Sequence, residues 1–135
     1  MKRFEEIPHT ADWSFRAFGR NESELFANAA HALFTLEGAT PQVDANPVAR
    51  DVFIAAIDWE ALLVSWLNEL LFLQEQHREV YDEFIFARLA PTELQARALG
   101  KPRAAMDKII KAATFHNLKI EQTQDGWQVV VVVDV

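Results

Sequence analysis

Residues 124–135 read QDGWQVVVVVDV, and the fold class follows from that stretch. Gln124-Asp125-Gly126 has the residues of a tight hairpin turn. The five valines Val129 to Val133 favour a strand buried on both faces. A hairpin needs a strand before its turn, and Ile109 to Ile120 is the expected partner, although Met106, Ile109, Ile110 and Ala113 also fit helical spacing.

Further upstream, Glu93 to Leu99 and Val80 to Leu89 read as two strands parted by Ala90-Pro91, with Gly100 and Pro102 ending the second. Before them Leu62, Leu63, Trp66, Leu67, Leu70, Leu71 and Leu73 form an apolar face too wide for a helix buried on one side only. Asp58 caps that helix, expected over 58–77. Val48 to Ile57 alternates as a strand, and GATPQVDANP, residues 38–47, is a loop by its turn residues.

A second helix is expected over 21–37. Asn21 is its cap, Glu24 can turn back to a free amide, and Gly38 suits the left-handed position past the last turn. Ahead of it, Phe4 to Ile7 and Asp12 to Phe18 read as strands, with Trp13, Phe15 and Ala17 on one face. The order is therefore α+β: a mainly antiparallel sheet with two helices on one side, within one domain spanning 1–135.

Composition narrows the function. The 135 residues are 50% apolar and contain no Cys, which excludes disulfides and thiolate metal sites. No apolar run reaches the roughly 18 residues of a membrane span, and the start lacks a signal peptide's apolar core, so the expected location is cytoplasmic. The net charge of −7 disfavours nucleic-acid binding by the surface as a whole. Arg97, Lys101, Arg103, Lys108, Lys111 and Lys119 nevertheless cluster in 97–119 against Asp107 alone. Contact with anions is expected there.

Phosphate-loop, zinc-protease and serine-hydrolase motifs are all missing from the sequence. Two places stand out. His9-Thr10-Ala11-Asp12 brings an imidazole and a carboxylate to one turn, where they can converge on a ligand, or where Thr10 or Asp12 can simply cap backbone amides. At the other end, Asp134 and the carboxylate of Val135 place two anions side by side. If desolvated they call for a hard cation with oxygen ligands, Ca²⁺ or Mg²⁺; if hydrated they only keep the sheet edge soluble. Lys111 is a lone cation in an apolar run. It either faces solvent and protects an edge, or reaches the carboxylates or a partner's phosphate. His116 is open to a structural or a ligand role. Trp13, Trp59, Trp66 and Phe72 read as core or interface packing.

Four segments in order, HTAD (9–12), DWEALLVSWLNELLFL (58–73), IKAATFHNLKI (110–120) and VVVDV (131–135), resemble the archease family across nearly the whole chain. The resemblance implies strand-helix-strand-strand modules, one inserted in another. It implies no catalysis by the chain itself. The family's members are protein cofactors of RtcB-type RNA ligases; they promote guanylylation of the ligase's active-site histidine and so support tRNA splicing and RNA repair. They carry a divalent cation of calcium character, with Mg²⁺ or Mn²⁺ as alternatives. Carried onto this sequence, Asp12, Asp134 and an oxygen of Val135 hold the metal. Lys111, His9 and His116 serve activation of the partner, and RNA is met only through the ligase. The chain departs from the family pattern at Ala113 and Phe115, where an aliphatic residue and Tyr are frequent, and at Ile109, where some members have an acid. Two further readings stand beside this one: a metal-dependent phosphoester hydrolase using Asp12 and Asp134, and an RNA-binding module using 97–119.

Overall fold

A computed structural model describes residues 1–8 and 13–135. In chain order they form β1 (Phe4–Ile7), β2 (Trp13–Gly19), α1 (Glu22–Leu36), β3 (Thr40–Pro41), β4 (Val48–Ala55), α2 (Trp59–His77), β5 (Glu79–Ala90), β6 (Glu93–Ala105), β7 (Ala112–Ala113), β8 (Ile120–Thr123) and β9 (Gly126–Asp134). The α+β class holds, but the strands divide between two antiparallel sheets. In the first, β9 pairs with β2 on one side and with β7 and β8 on the other, and β1 pairs with β2. In the second, β6 is central, paired with β4, β5 and, at its C-terminal end, β3. The second sheet comes from residues 40–105, set between the two parts of the chain that build the first. One module is inserted in the other.

The caps act as their side chains dictate. Asn21 Oδ1 accepts from Glu24 N at 2.9 Å, and Asp58 Oδ1 accepts from Ala61 N at 2.8 Å. Glu24 turns back as expected, but to the amide of Arg20 at 3.2 Å, one residue before the cap. Gly38 sits at φ 65°, which lets the Ala39 amide reach Phe34 O at 3.1 Å and close α1.

Both helices touch both sheets: α1 packs on β1, β2 and β5, and α2 on β4, β5, β6 and β7. This is why the apolar surface of α2 is so wide. Leu62, Leu63, Trp66, Leu67 and Leu70 are all fully buried, together with Phe15, Phe26 and Leu33. The opposite face of the second sheet leaves Phe53 and Ile85 exposed. Phe72 is not a core residue either; it is 56% exposed.

Three expectations are corrected. First, β9 is not buried on both faces. Val129, Val131 and Val133 enter the core, while Val130 and Val132 are half-buried, because the helices cover one face of the sheet. Second, β6 does not end at Gly100 or Pro102 but runs on to Ala105. Gly100 lies where β5 crosses so closely that a β-carbon would collide with the Val80 carbonyl. Pro102 needs no donor there, since its carbonyl is what the Gln42 amide uses, at 2.8 Å. Third, 109–120 is not one strand. Only Ala112–Ala113 and Ile120 join β9, and a turn at 115–118 separates them.

The second sheet is tied laterally by a buried carboxylate. Glu79 accepts from Arg50 Nε at 2.8 Å and Nη2 at 2.6 Å, and from the Tyr81 hydroxyl at 2.8 Å. The Arg50 guanidinium outweighs burial and holds the Glu79 carboxyl below the usual carboxylate range, while burial pushes the Tyr81 hydroxyl up.

Candidate functional site

Trp13, the segment around Lys111 and the end of β9 meet at one end of the first sheet. Antiparallel pairing sets Trp13, which follows the HTAD motif, opposite Val133, and Ala112 opposite Asp134. The Lys111 amide donates to Asp134 O at 2.7 Å. Lys111 and Asp134 are therefore brought together by the backbone, and both side chains are exposed. His9 and Asp12 lie outside the described residues.

The segment 106–111 has no strand ladder, so its backbone amides must find other partners. Glu37 supplies them. Its carbonyl accepts from Asp107 N at 2.9 Å and Lys108 N at 3.1 Å, and its carboxylate Oε2 accepts from Ile110 N at 3.0 Å. Glu37 is fully buried. Burial raises its carboxyl above the usual range, against the bond from Ile110 and the nearness of Gln74 and Arg103, which lower it.

One turn of chain later Asn68 of α2 takes over. Its Oδ1 accepts from Ala113 N at 2.8 Å and its Nδ2 donates to Ala113 O at 3.1 Å, so the amide stands where a neighbouring strand would. Thr114 completes the attachment, bonding Val132 O through its amide at 3.0 Å and its hydroxyl at 2.9 Å. Replacing Asn68 with alanine leaves both Ala113 groups unpartnered. The expected cost is about 1–3 kcal/mol, with faster amide exchange confined to 110–114. Unchanged exchange at Ala113 would refute the clamp.

The surroundings of this sheet end are apolar and exposed. Phe72 and Ile109, 56% and 54% exposed, line a shallow groove together with Lys111. Lys108 lies over the Trp13 ring, its Nζ 4.7 Å from the centroid. Exposed large apolar side chains gathered around a charged point are what a protein partner covers.

The donors available for a cation are all oxygens, the Asp134 carboxylate and Val135, and that chemistry suits Ca²⁺ or Mg²⁺ rather than Zn²⁺. Asp134 makes no side-chain hydrogen bond or ion pair among the described residues, so its carboxylate is free to ligate there. Among the described residues no three His, Cys, Asp or Glu gather as a metal cage. Of the two alternatives left open for the chain end, the hydrated one describes it, since Asp134 and Val135 are both exposed. Their charge is hydrated, because β9 ends beyond the cover of the helices.

His116 is not brought to this point. Pairing runs from Ala112–Asp134 through Ala113–Val133 to Thr114–Val132, which carries the chain away from Asp134. His116 then sits exposed on the 115–118 turn, its Nε2 3.3 Å from Asn117 Nδ2. The sequence reading missed Glu37 and Asn68. The only signal either gave was a polar residue beside the apolar positions of its helix.

Comparison with known proteins agrees with the geometry. Residues 4–135 match the model of the Archease protein family. The "Protein archease" of Methanosarcina barkeri is 38% identical over 142 aligned residues, covering 99% of this chain and 97% of the relative. That of Sulfurisphaera tokodaii is 32% identical over 140, covering all of both. The solution structure of Methanobacterium thermoautotrophicum protein 1598 is similar along the full length of both chains, with a TM-score of 0.73 and 27% identity. A Thermotoga maritima crystal structure, described as an archease and possible chaperone, shares the fold at a TM-score of 0.71 and 21% identity, covering 96% of this chain and 94% of that one.

Proposed function

We propose, from the premise that this chain belongs to the archease family, that it is a non-catalytic cytoplasmic protein cofactor. It activates an RtcB-type RNA ligase by promoting guanylylation of the ligase's active-site histidine, in support of tRNA splicing and RNA repair. The observation that carries this reading is the meeting of Trp13 with Val133 and of Lys111 with Asp134 at one exposed sheet end.

Asp134, Asp12 and an oxygen of Val135 would hold a divalent cation, Ca²⁺ first and Mg²⁺ or Mn²⁺ next, which supplies concentrated positive charge to the docking face. Asp12 and His9 enter on the motif alone. Lys111 contacts the ligase; His9, and His116 from the 115–118 turn away from Lys111, have a lesser role. RNA meets the chain only through the ligase, in keeping with a net charge of −7.

An activator without a nucleophile works by binding the competent form of its partner more tightly than the incompetent one. Moving a partner from about 1% to 99% competent takes about 5.5 kcal/mol of differential binding. Covering Phe72 and Ile109, each already nearly half buried, contributes at most about 1.5 kcal/mol each. The groove and the Lys111 charge together reach the required order if the incompetent ligase cannot engage them.

The test mixes the purified chain with an RtcB-type ligase and labelled GTP and follows the ligase–GMP adduct. The expected result is faster adduct formation, with no phosphoester turnover by the chain alone in added metal. An unchanged adduct rate refutes the cofactor reading, and metal-dependent turnover by the chain alone replaces it with the hydrolase.

A further inference from the structure

The basic stretch 97–119 does not act as one surface. Arg97 pairs with Asp51 at 3.1 Å, and Lys101 donates to Val43 O at 2.7 Å. Arg103, Lys108 and Lys111 instead line one open cleft of about 730 Å³, and Arg78 joins them from the end of α2. Backbone geometry makes this convergence. Arg78 is a non-glycine residue at φ 55°, which turns the chain sharply from α2 into β5, and its carbonyl accepts from Arg103 N at 2.8 Å. The bases of the two arginines are thus fixed side by side. The Glu37 carbonyl then brings Lys108 to the same cleft.

These charges are only partly answered from within: Arg103 lies near the buried Glu37 carboxylate and Lys108 over the Trp13 ring. Among the described residues no salt bridge takes in Arg78, Arg103, Lys108 or Lys111. Arg103 Nη1 is buried with no hydrogen-bond partner. Among the described residues two acids line the cleft: Asp107, which lays its carboxylate against Gly38 in the space a side chain would occupy, and the carboxylate of Val135, against four cations. An unpartnered guanidinium nitrogen out of water costs free energy that an incoming acceptor recovers. Two guanidinium forks and two ammonium groups around one cleft match an anion carrying several phosphate oxygens.

We propose that this cleft binds the polyphosphate group of a small anion, free or carried by a nucleoside triphosphate. The cleft volume lies within the range of about 300–1,000 Å³ usual for small ligands. The four cations are gathered at one place on a chain of net charge −7, so an extended nucleic-acid backbone leaving the cleft would meet repulsion.

The test is titration of the full chain, by calorimetry at low salt in EDTA, with tripolyphosphate, ATP, GTP and adenosine in separate runs. Neither a ligase nor a divalent cation is present, so the result is independent of the docking reading above. Tripolyphosphate and both nucleotides should bind at one saturable site, and adenosine should not bind. Arg78→Gln and Lys108→Gln, both at exposed side chains, should each weaken binding about tenfold. Arg97→Gln, outside the cleft, should change it by less than about twofold. If only the nucleotides bind, the base and not the polyphosphate is recognised, and the proposal falls. It falls equally if no phosphate compound binds, if the cleft variants bind like wild type, or if a single-stranded RNA oligonucleotide binds more tightly than tripolyphosphate with a steep salt dependence.

Discussion

Trp66→Ala should lower the free energy of unfolding by about 3–5 kcal/mol, the range for deleting a buried tryptophan. Trp66 is fully buried where α2 meets α1 and β5. Its ring lies 5.7 Å from Phe84 at 80° and 5.3 Å from Phe86 at 54°, and its Nε1–H donates to Phe26 O at 3.1 Å. Phe26 in turn meets Trp59 edge-on at 5.9 Å and Phe86 at 6.5 Å. Removing the indole strips one wall from this cluster, and side chains anchored on three separate elements cannot collapse into the space together. The lost hydrogen bond adds less, because the Phe26 carbonyl lies within α1 and keeps its helical partner. Domains of this size have about 5–15 kcal/mol in total, so the variant should lose about a fifth or more. In urea the midpoint falls and the slope stays constant. Trp66→Phe, which keeps a ring in the site, should cost less than half as much. A loss under about 1 kcal/mol for the alanine variant would mean that the junction of α2 with the second sheet is not packed this way.

What could be read from the residues was local. Asn21 and Asp58 each carry their capping chemistry in their own side chains, and the apolar positions behind them repeat at helical spacing, so both helices were legible to within a residue or two. The hairpin at Gln124-Asp125 and strand β9 were legible for the same reason. The run 106–120 was not. Its β-branched and aromatic residues predict extended chain, which in 106–120 joins the sheet only at Ala112–Ala113 and Ile120, and they do not name its partners. Those are the Glu37 carboxylate and the Asn68 amide, 73 and 45 residues away in sequence from the groups they bond. No spacing rule reaches that far. Gly100 and Pro102 misled because residues that end strands also permit close crossings, and only the position of β5 separates the two uses. The division into two sheets was hidden likewise, since alternation marks which face of a strand is buried and not which sheet it joins.

The candidate site was legible in a different way. Nothing in the spacing of Lys111 and Asp134 implies that they meet; the four motifs in order implied it, and the pairing of β7 with β9 supplies the cause. His116 shows where motif reasoning overreaches. The four residues between it and Lys111 carry it down the sheet, so membership of the same motif does not put both side chains at the same end.

Asp134→Ala should return ligase guanylylation to its unstimulated rate while leaving the fold intact, and those two outcomes are separable because of where Asp134 stands. Its side chain is exposed and bonds nothing among the described residues, so truncation should change stability by no more than about 0.5 kcal/mol. What it does for the structure it does through its backbone carbonyl, which takes the Lys111 amide at 2.7 Å and is kept by alanine. An equal urea midpoint with lost stimulation therefore assigns the effect to the carboxylate. Asp134→Asn then divides the remaining causes. The amide keeps the shape and a neutral oxygen but removes the charge that draws a hard cation. On the proposed reading Asn fails almost as fully as Ala, and excess Ca²⁺ restores part of the activity. If Asn activates as well as the native chain, the carboxylate acts as a hydrogen-bond acceptor toward the ligase and no cation is needed at this point. Lys111→Ala completes the series from the other side, since it removes the neighbouring charge without touching any metal ligand. Should all three variants stimulate guanylylation like the native chain at an unchanged urea midpoint, the ligase engages some other face, and the meeting of β2, β7 and β9 has only a structural purpose.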